Sequence, residues 1–520
     1  MKEDTAKPRT EHKSWVGSLV DVVKRWDHDA LPMTESTLAE ALTLGIGGDV
    51  SVAGAWIQAC EIMTQYACAD VEDDEDALHE ERAAIVASRR ALRPLLEARL
   101  QLRIDRVDAA TKGQATCTVC GKTASSHGRP SRTWESTLGP LRLRRRYSRC
   151  PDARHTQGRS LAQEALLLPE SDYTGLLDEA ITLMATTVPH GMAVQLLGKT
   201  LGVEVSIHAV EDAVERRAAR VVALQDQDAL EHRPFEDNGL PREVARPRDA
   251  VDAAPEEVAY VEIDGVLPMT RELDTEKSAP VAGARGGKGL RYTLIGREVK
   301  NAVLYTGQDV AQESASRGCI LEKRYVSHLG YWKDFAHLLW AALVRLRFDQ
   351  ATTLVILSDG ASWIRELSAW LPCETRTILD LYHAMHRVWD VGRAVYGEKT
   401  PDCDRWSREQ CRRIEAGEVN QVLDALRFLA PPGEAAQKKV RQLITYFTHN
   451  RDRMDYPSYR AEGLRITSGT VESANYHVTG ARLKQQGMRW SEPGAAHMAR
   501  LRADLFNDLW EQRTPEVLAA

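Results

Sequence analysis

The sequence predicts a multidomain α+β protein whose α/β core (257–385) is interrupted by a wholly helical block (386–460) and completed by a last helical segment (461–520). Three observations carry that prediction. A chain of 520 residues is long enough for roughly three or four folded units. Beyond 257, short apolar runs alternate with helical periodicity: VAYVEIDGV, YTLIGREVKNAVLYT, TTLVILSDG and TRTILDLYH read as strands, FAHLLWAALVRLR and WIRELSAWL as helices. Strands followed by helices make a mixed or parallel sheet covered by helices. From about 384 to 460 the pattern is helical throughout, and the helical segment SGTVESANYHVTGARLKQQG follows.

The remaining regions follow in chain order. Residues 1–110 read as a helical N-terminal region, with an acidic cluster from Asp70 to Asp76 as a solvated linker or helix start. At 111–165 the character changes to short strands and turns rich in arginine. In LRLRRRY, side chains alternate across a strand, so Arg142, Arg144 and Arg146 should share one cationic face suited to DNA phosphates. Cys117 and Cys120 form a C-x2-C knuckle before Gly121, and Cys150 with His155 would complete a Cys3His zinc site; His127 is the other candidate for the fourth ligand. Residues 170–225 read as a helix-turn-helix candidate, with the middle helix ending at Gly202 and Ser206 suited to cap the next. The acidic, proline-bearing stretch 226–256 reads as a linker.

Composition narrows the class. With 43% hydrophobic and 28% charged residues and a formal charge of −7, the chain is neither fibrous nor disordered, and any nucleic-acid surface must come from segregated charge. There is no apolar run of the ~18 residues a membrane span needs, and the opening MKEDTAKPRTEHK is charged where a signal peptide is apolar, so a cytoplasmic protein is expected. The nine cysteines are an odd number in mostly separate segments, which is not a disulfide framework.

The chemistry is expected at three acids. Asp264 and Asp359 each end an apolar run and precede glycine, so both should emerge at the carboxyl end of a buried strand. A single Asp-Gly is ordinarily a turn. The repeated context, with Glu472 in the unusual string SGTVESANYHVTGARLKQQGMRWS, points further. Phosphodiester chemistry needs the attacking oxygen activated and the leaving 3′ oxygen stabilised, which two magnesium ions held by carboxylates accomplish.

The strings VEIDGV, LSDGASWI, ILDLYHAMHRVW and SGTVESANYHVTGARLKQQGMRW resemble the bacterial insertion-sequence transposases of the ISKra type, a DDE group. The resemblance extends over about 111–510 and is most specific around Glu472. It implies a ribonuclease-H-like catalytic core with a helical insertion, for which the 112 residues between Asp359 and Glu472 leave room. It implies Asp264, Asp359 and Glu472 as ligands of two Mg2+ or Mn2+ ions. Asp380 and His383 resemble the Asp-x-x-His string of several transposase superfamilies, giving His383 a DNA-contacting or water-positioning role; as a histidine at the end of the strand TRTILDLYH it also suits a structural one. Family members commonly carry a second C-x2-C where this chain has Cys150-Pro-Asp-Ala.

Arg482, Lys484 and Arg489 would bring positive charge to the scissile phosphate. Arg482 lies ten residues beyond Glu472, so one regular helix would present both on nearly the same face. Trp363 and Trp490 suit either packing or base stacking. The activity the resemblance implies is binding of the element's terminal repeats, then metal-dependent DNA cleavage and strand transfer, by a homo-oligomer assembled on double-stranded DNA at the nucleoid. The competing readings are a transposase-derived DNA-binding protein that does not cut, and a nuclease that hydrolyses without joining.

Overall fold

The structure, a computed structural model, describes residues 50–69, 77–112, 114–155, 158–236, 239–242, 257–277, 290–314 and 317–519. It divides into two compact units, one drawn from 1–181 and 194–206, the other from 182–193 and 207–518. The acidic cluster at 70–76 and the first half of the N-terminal helical region lie outside the described residues.

In the first unit, helices α1 (Val50–Ala67) and α2 (Ala77–Ala110) pack together, and α2 also packs on a hairpin of strands β1 (Ser131–Ser136) and β2 (Gly139–Arg144). Trp134 faces Leu141 across the hairpin, and both are fully buried. Ile104 of α2, Trp134, Leu143 and Ala162 form a small core. Removing a side chain the size of Trp134 from such a core costs about 3–5 kcal/mol.

The outer edge of β2 has no third strand; side chains of α2 take its place. Glu97 accepts the Arg142 amide at 2.8 Å, Gln101 exchanges two 2.8 Å bonds with the Arg144 backbone, and Asp108 accepts the Arg146 amide at 3.0 Å. These contacts satisfy main-chain groups that an uncovered strand edge would leave exposed for pairing with another chain.

Three helices follow: α3 (Gly175–Thr187), α4 (His190–Leu201) and α5 (Ile207–Glu231). Gly202 ends α4 at φ +60°, its amide bonding to the Gly198 carbonyl at 3.1 Å and that of Val203 to Leu197 at 3.4 Å, a Schellman-type stop that needs a left-handed residue. Ser206 directly precedes α5, as expected.

The expected linker at 226–256 is corrected at its start, because α5 runs on to Glu231. Two of its acids are ion-paired, Asp226 with Arg500 and Asp228 with Arg345, both at 2.7 Å, and the preceding Gln225 reaches Asp504 at 2.9 Å. Residues 243–256 lie outside the described set.

The second unit is built on a five-stranded mixed sheet. Its strands are β3 (Val258–Val266), β6 (Val299–Thr306), β7 (Arg324–Leu329), β8 (Thr353–Ser358) and β9 (Thr375–Leu379), with a side hairpin of β4 (Met269–Leu273) and β5 (Tyr292–Gly296). The spatial order is β7-β6-β3-β8-β9. The pairs β7–β6 and β6–β3 are antiparallel, while β3–β8 and β8–β9 are parallel.

Helices cover both faces. Val261, Ile263 and Ile356 pack with α6 (Trp332–Leu346) and α7 (Ser362–Trp370). Tyr260, Val355 and Leu357 pack on the opposite face with α8 (Leu381–Tyr396), α9 (Pro401–Glu415), α10 (Val419–Arg427) and α11 (Gly433–Asn450). The same core takes in Val471 and Ala474 of α12 (Gly469–Ala474) and Val478 of the π-helical turn Asn475–Gly480 that continues it. Helices α13 (Glu492–Phe506) and α14 (Trp510–Ala519) end the chain. Among the described residues no helix is long and apolar enough to cross a membrane.

Candidate active site

Strand periodicity aims the acids. On β3, Tyr260, Glu262 and Asp264 share one face, and on β8 the series Val355, Leu357 leads to Asp359 on that same face. The last β3–β8 pair is Ile263 with Ser358, so the next residue on each strand is Asp264 and Asp359. The helix carrying Glu472 packs over this face.

The two Asp-Gly steps differ. Asp359 leaves β8 in a turn whose Gly360 has φ +83°, its carboxylate accepting the Ala361 amide at 3.0 Å. A Cβ at Gly360 would also approach a Leu379 methyl within 2.7 Å, so glycine is required twice over. Asp264, expected at a strand end, is instead within β3, because the ladder to β6 continues through Gly265 and Val266.

Asp264 is held by its neighbours. Its carboxylate accepts the Gly265 amide at 2.7 Å and the Asn475 amide group at 2.6 Å. Asn475 in turn accepts from Asn301 at 2.7 Å, and Asn301 accepts from Ser327 at 2.6 Å and Thr479 at 3.0 Å. Asn301 is the register partner of both Asp264 and Ser327, so a row of polar residues crosses three strands and ends at Asp264. Burial, with repulsion from Asp359 and Glu472 added, pushes the Asp264 carboxyl up to about 6, against the pull of the Gly265 amide and His383. Asp264 thus lies within electrostatic reach of Asp359, Glu472 and His383.

His383 sits in the first turn of α8, not at a strand end as expected, because Asp380 caps that helix. Asp380 accepts the His383 amide at 2.6 Å and its Nδ1–H at 3.0 Å, and its other oxygen accepts the Ser468 amide and hydroxyl at 2.5 and 3.0 Å. The bond to Asp380 raises the His383 pKa against the effect of burial, and Asp264 and Asp359 add to the rise. His383 Nδ1 also lies 3.9 Å from a Glu472 oxygen. Glu472 itself is exposed.

Two buried acids, of which the sequence singled out Asp380 but not Glu262, set the Glu472 segment in place. Asp380 ties α8 to Ser468, and fully buried Glu262 accepts the Val471 amide at 2.8 Å and the Tyr305 hydroxyl at 2.6 Å. Burial raises the Glu262 pKa although both bonds oppose it. Glutamate two residues before Asp264 in an otherwise apolar strand was the legible signal, since a charged residue there must find buried partners.

Arg482 is not at the acids. The π-helical turn at Asn475–Gly480 adds residues per turn and shifts everything after it around the axis, so the regular-helix expectation fails. Arg482 is buried, donating to the Ala185 carbonyl at 3.1 Å and stacking over Trp490 at 4.8 Å. Trp490 and Trp363 are packing residues: His190 meets the first edge-on, and Phe335 and Lys300 flank the second. Lys484 and Arg489 are exposed.

In the first unit, Cys117, Cys120, Cys150 and His155 converge, their ligand atoms all within 4.8 Å of one another. Cys120 and Cys150 sulfurs are 3.6 Å apart, and His155 Nδ1 is 3.5 and 3.7 Å from Cys150 and Cys117. Four ligands about 2.0–2.3 Å from one tetrahedral centre stand roughly 3.5–3.8 Å apart, so the group can hold a metal ion, and its sulfur and nitrogen donors suit zinc. The amides of Cys120 and Val119 point at Cys117 and bring its thiol down to about 6. His127, the other candidate ligand, is not among the four.

The arginine face is smaller than expected. Arg142 and Arg144 are exposed on β2, which ends at Arg144; beyond it Arg145 turns inward to Gln163 at 2.6 Å and Arg146 is half-buried.

Residues 299–514 match the model of a family described as Uncharacterised protein family (UPF0236). That span includes Asp359, His383 and Glu472 but not Asp264. Among curated proteins the chain is similar to UPF0236 protein TTE2489 of Caldanaerobacter subterraneus subsp. tengcongensis, 23% identical over 273 residues, which cover 49% of this chain and 54% of the relative. UPF0236 protein TTE1650/TTE2708 of the same organism is 24% identical over 270 residues, 49% of this chain and 51% of the relative. The chain thus spans about half the length of the curated relatives it matches.

Proposed function

We propose that this protein is a DDE-type DNA transposase of the ISKra kind, with a ribonuclease-H-like core that cuts and joins DNA at Asp264, Asp359 and Glu472. The observation that carries the reading is geometric: strand register sets Asp264 beside Asp359 on one face of the mixed sheet, and the helix of Glu472, whose carboxylate lies 3.9 Å from His383, packs over that face. The helical block α9–α11, between the second acid and the third, fits the insertion the resemblance implies.

The donor set is all oxygen, which matches hard divalent ions such as Mg2+ or Mn2+. Two such ions would activate the attacking oxygen and stabilise the leaving 3′ oxygen. The chain's own residues do the rest. The polar row Ser327–Asn301–Asn475 fixes the rotamer of Asp264. Glu262 and Asp380 fix the height of the Glu472 helix, and Asp380 favours the charged form of His383 beside the acids. Cleavage uses water and joining uses a 3′ hydroxyl, each displacing an oxygen at phosphorus in line, so no enzyme nucleophile is needed. Zinc at Cys117, Cys120, Cys150 and His155 would organise the arginine hairpin, with Arg142 and Arg144 on DNA phosphates. Lys484 and Arg489 remain available to DNA; Arg482 acts in packing.

The test is cutting of a labelled duplex carrying the element's own ends, with Mg2+ or Mn2+, by the native chain and by Glu472→Gln. The substitution keeps size and removes charge. Retained end binding with cutting reduced by at least about three orders of magnitude is expected, the scale of losing a group that acts on transition-state charge. Equal cutting by both would reject the triad.

A further inference from the structure

Charge is unevenly compensated across the helical block. On α8, α9 and α10 the arginines Arg393, Arg405, Arg408, Arg412, Arg413 and Arg427 each meet an acid at 2.6–3.0 Å. Those ion pairs cancel most of the field of a basic surface. Among the described residues, Arg387, Lys438 and Arg441 have no acid within 4.0 Å, and all three are exposed. They line one open cleft with Gln442, Thr445 and Tyr446.

The cleft is organised. Lys438, Arg441, Gln442 and Thr445 follow the i, i+3, i+4, i+7 spacing of a single face of α11. Opposite them, the Arg387 guanidinium lies 4.1 Å over the Tyr446 ring, which limits its directions. The cleft also adjoins the acids on two sides. The Tyr446 hydroxyl donates to the Asp359 carbonyl at 2.6 Å, and Arg387 is one helical turn beyond His383 on α8.

From this we infer that the cleft between α8 and α11 binds the sugar-phosphate backbone of the DNA strand leading to Asp359, a role that rests on the transposase reading. Uncompensated cations beside hydroxyl and amide donors, with no acid in the lining, fit phosphate oxygens and read no base. The cleft would fix the direction from which DNA reaches the acids, while the chemistry stays with the acids.

The experiment measures DNA affinity against salt for the full chain carrying Glu472→Gln, so that nothing is cut. The probes are a fluorescein-labelled duplex and a labelled single strand of unrelated sequence. Adding Arg387→Gln, Lys438→Gln and Arg441→Gln together should lower the slope of log affinity against log salt by about 2–3 on duplex, since each phosphate contact contributes about 0.9, and by about 2 on single strands. A control that removes the same charge from ion-paired positions, Arg405→Gln, Arg408→Gln and Arg412→Gln, should leave both slopes unchanged. An unchanged slope in the cleft variant, or an equal loss in the control, overturns the inference while leaving the acid site standing. Absence of DNA binding by the parent chain overturns the inference and the transposase reading together.

Discussion

Asp264 is the residue at which function and stability oppose one another. A half-buried carboxylate facing two other acids is a cost the fold carries, and its ionisation is pushed up to about 6. In the unfolded chain the same group titrates near 3.9. Below that value both states are protonated and the cost is absent; it grows as pH rises from about 4 to 6 and is fully present above 6. Asp264→Asn should therefore stabilise the protein by as much as about 3 kcal/mol at pH 7.5. The gain should shrink towards zero near pH 4. Denaturant melts of both proteins at the two pH values measure it, and a destabilised Asp264→Asn at pH 7.5 would mean that the carboxylate is held by attraction instead of strain. The identity of this residue was legible in the sequence as the end of an apolar run before glycine. Its support was not, because Asn301, Ser327 and Asn475 meet only through strand register and a π-helical turn, neither of which leaves a local signal.

At the scale of elements, periodicity served well where one periodicity held for a whole segment. The strands at 353–358 and 375–379 and the helices at 332–346 and 362–370 follow their apolar patterns. Failure came where the pattern changed mid-segment. The helix of Glu472 switches to π geometry at Asn475, which turns Arg482 into the interior, and the strand LRLRRR stops before its last two arginines. The acidic run after Gln225 reads as linker from composition, yet Arg345 and Arg500, far away in sequence, recruit it as helix. The Cys/His element reads well because ligand spacing is itself the signal, with the choice between His155 and His127 decided by the turn at 150–155. The native chain should carry about one zinc per molecule by elemental analysis, and Cys150→Ser or His155→Ala should release most of it, while His127→Ala should not. Zinc retained in full by Cys150→Ser would exclude that ligand set.

For the whole molecule, the alternation of strands and helices forecast a mixed sheet, which is present, whereas the three or four units that length suggests appear as two compact ones. What sequence order hides is that β3, β8 and α12 are adjacent although the helical block separates the last two. The block brings its own core residues onto the sheet face that bears the acids, so it is part of the wall of the site. Interference with that packing should lower activity without touching an acid.

The most direct measurement is strand transfer. The native protein, Mg2+, a labelled duplex ending in a 3′-hydroxyl element end and an unrelated target plasmid should yield covalently joined product, and Asp264→Asn, Asp359→Asn and Glu472→Gln should each abolish it. Cutting without joining would make the protein a nuclease, and joining that survives Asp359→Asn would contradict a shared three-acid metal site.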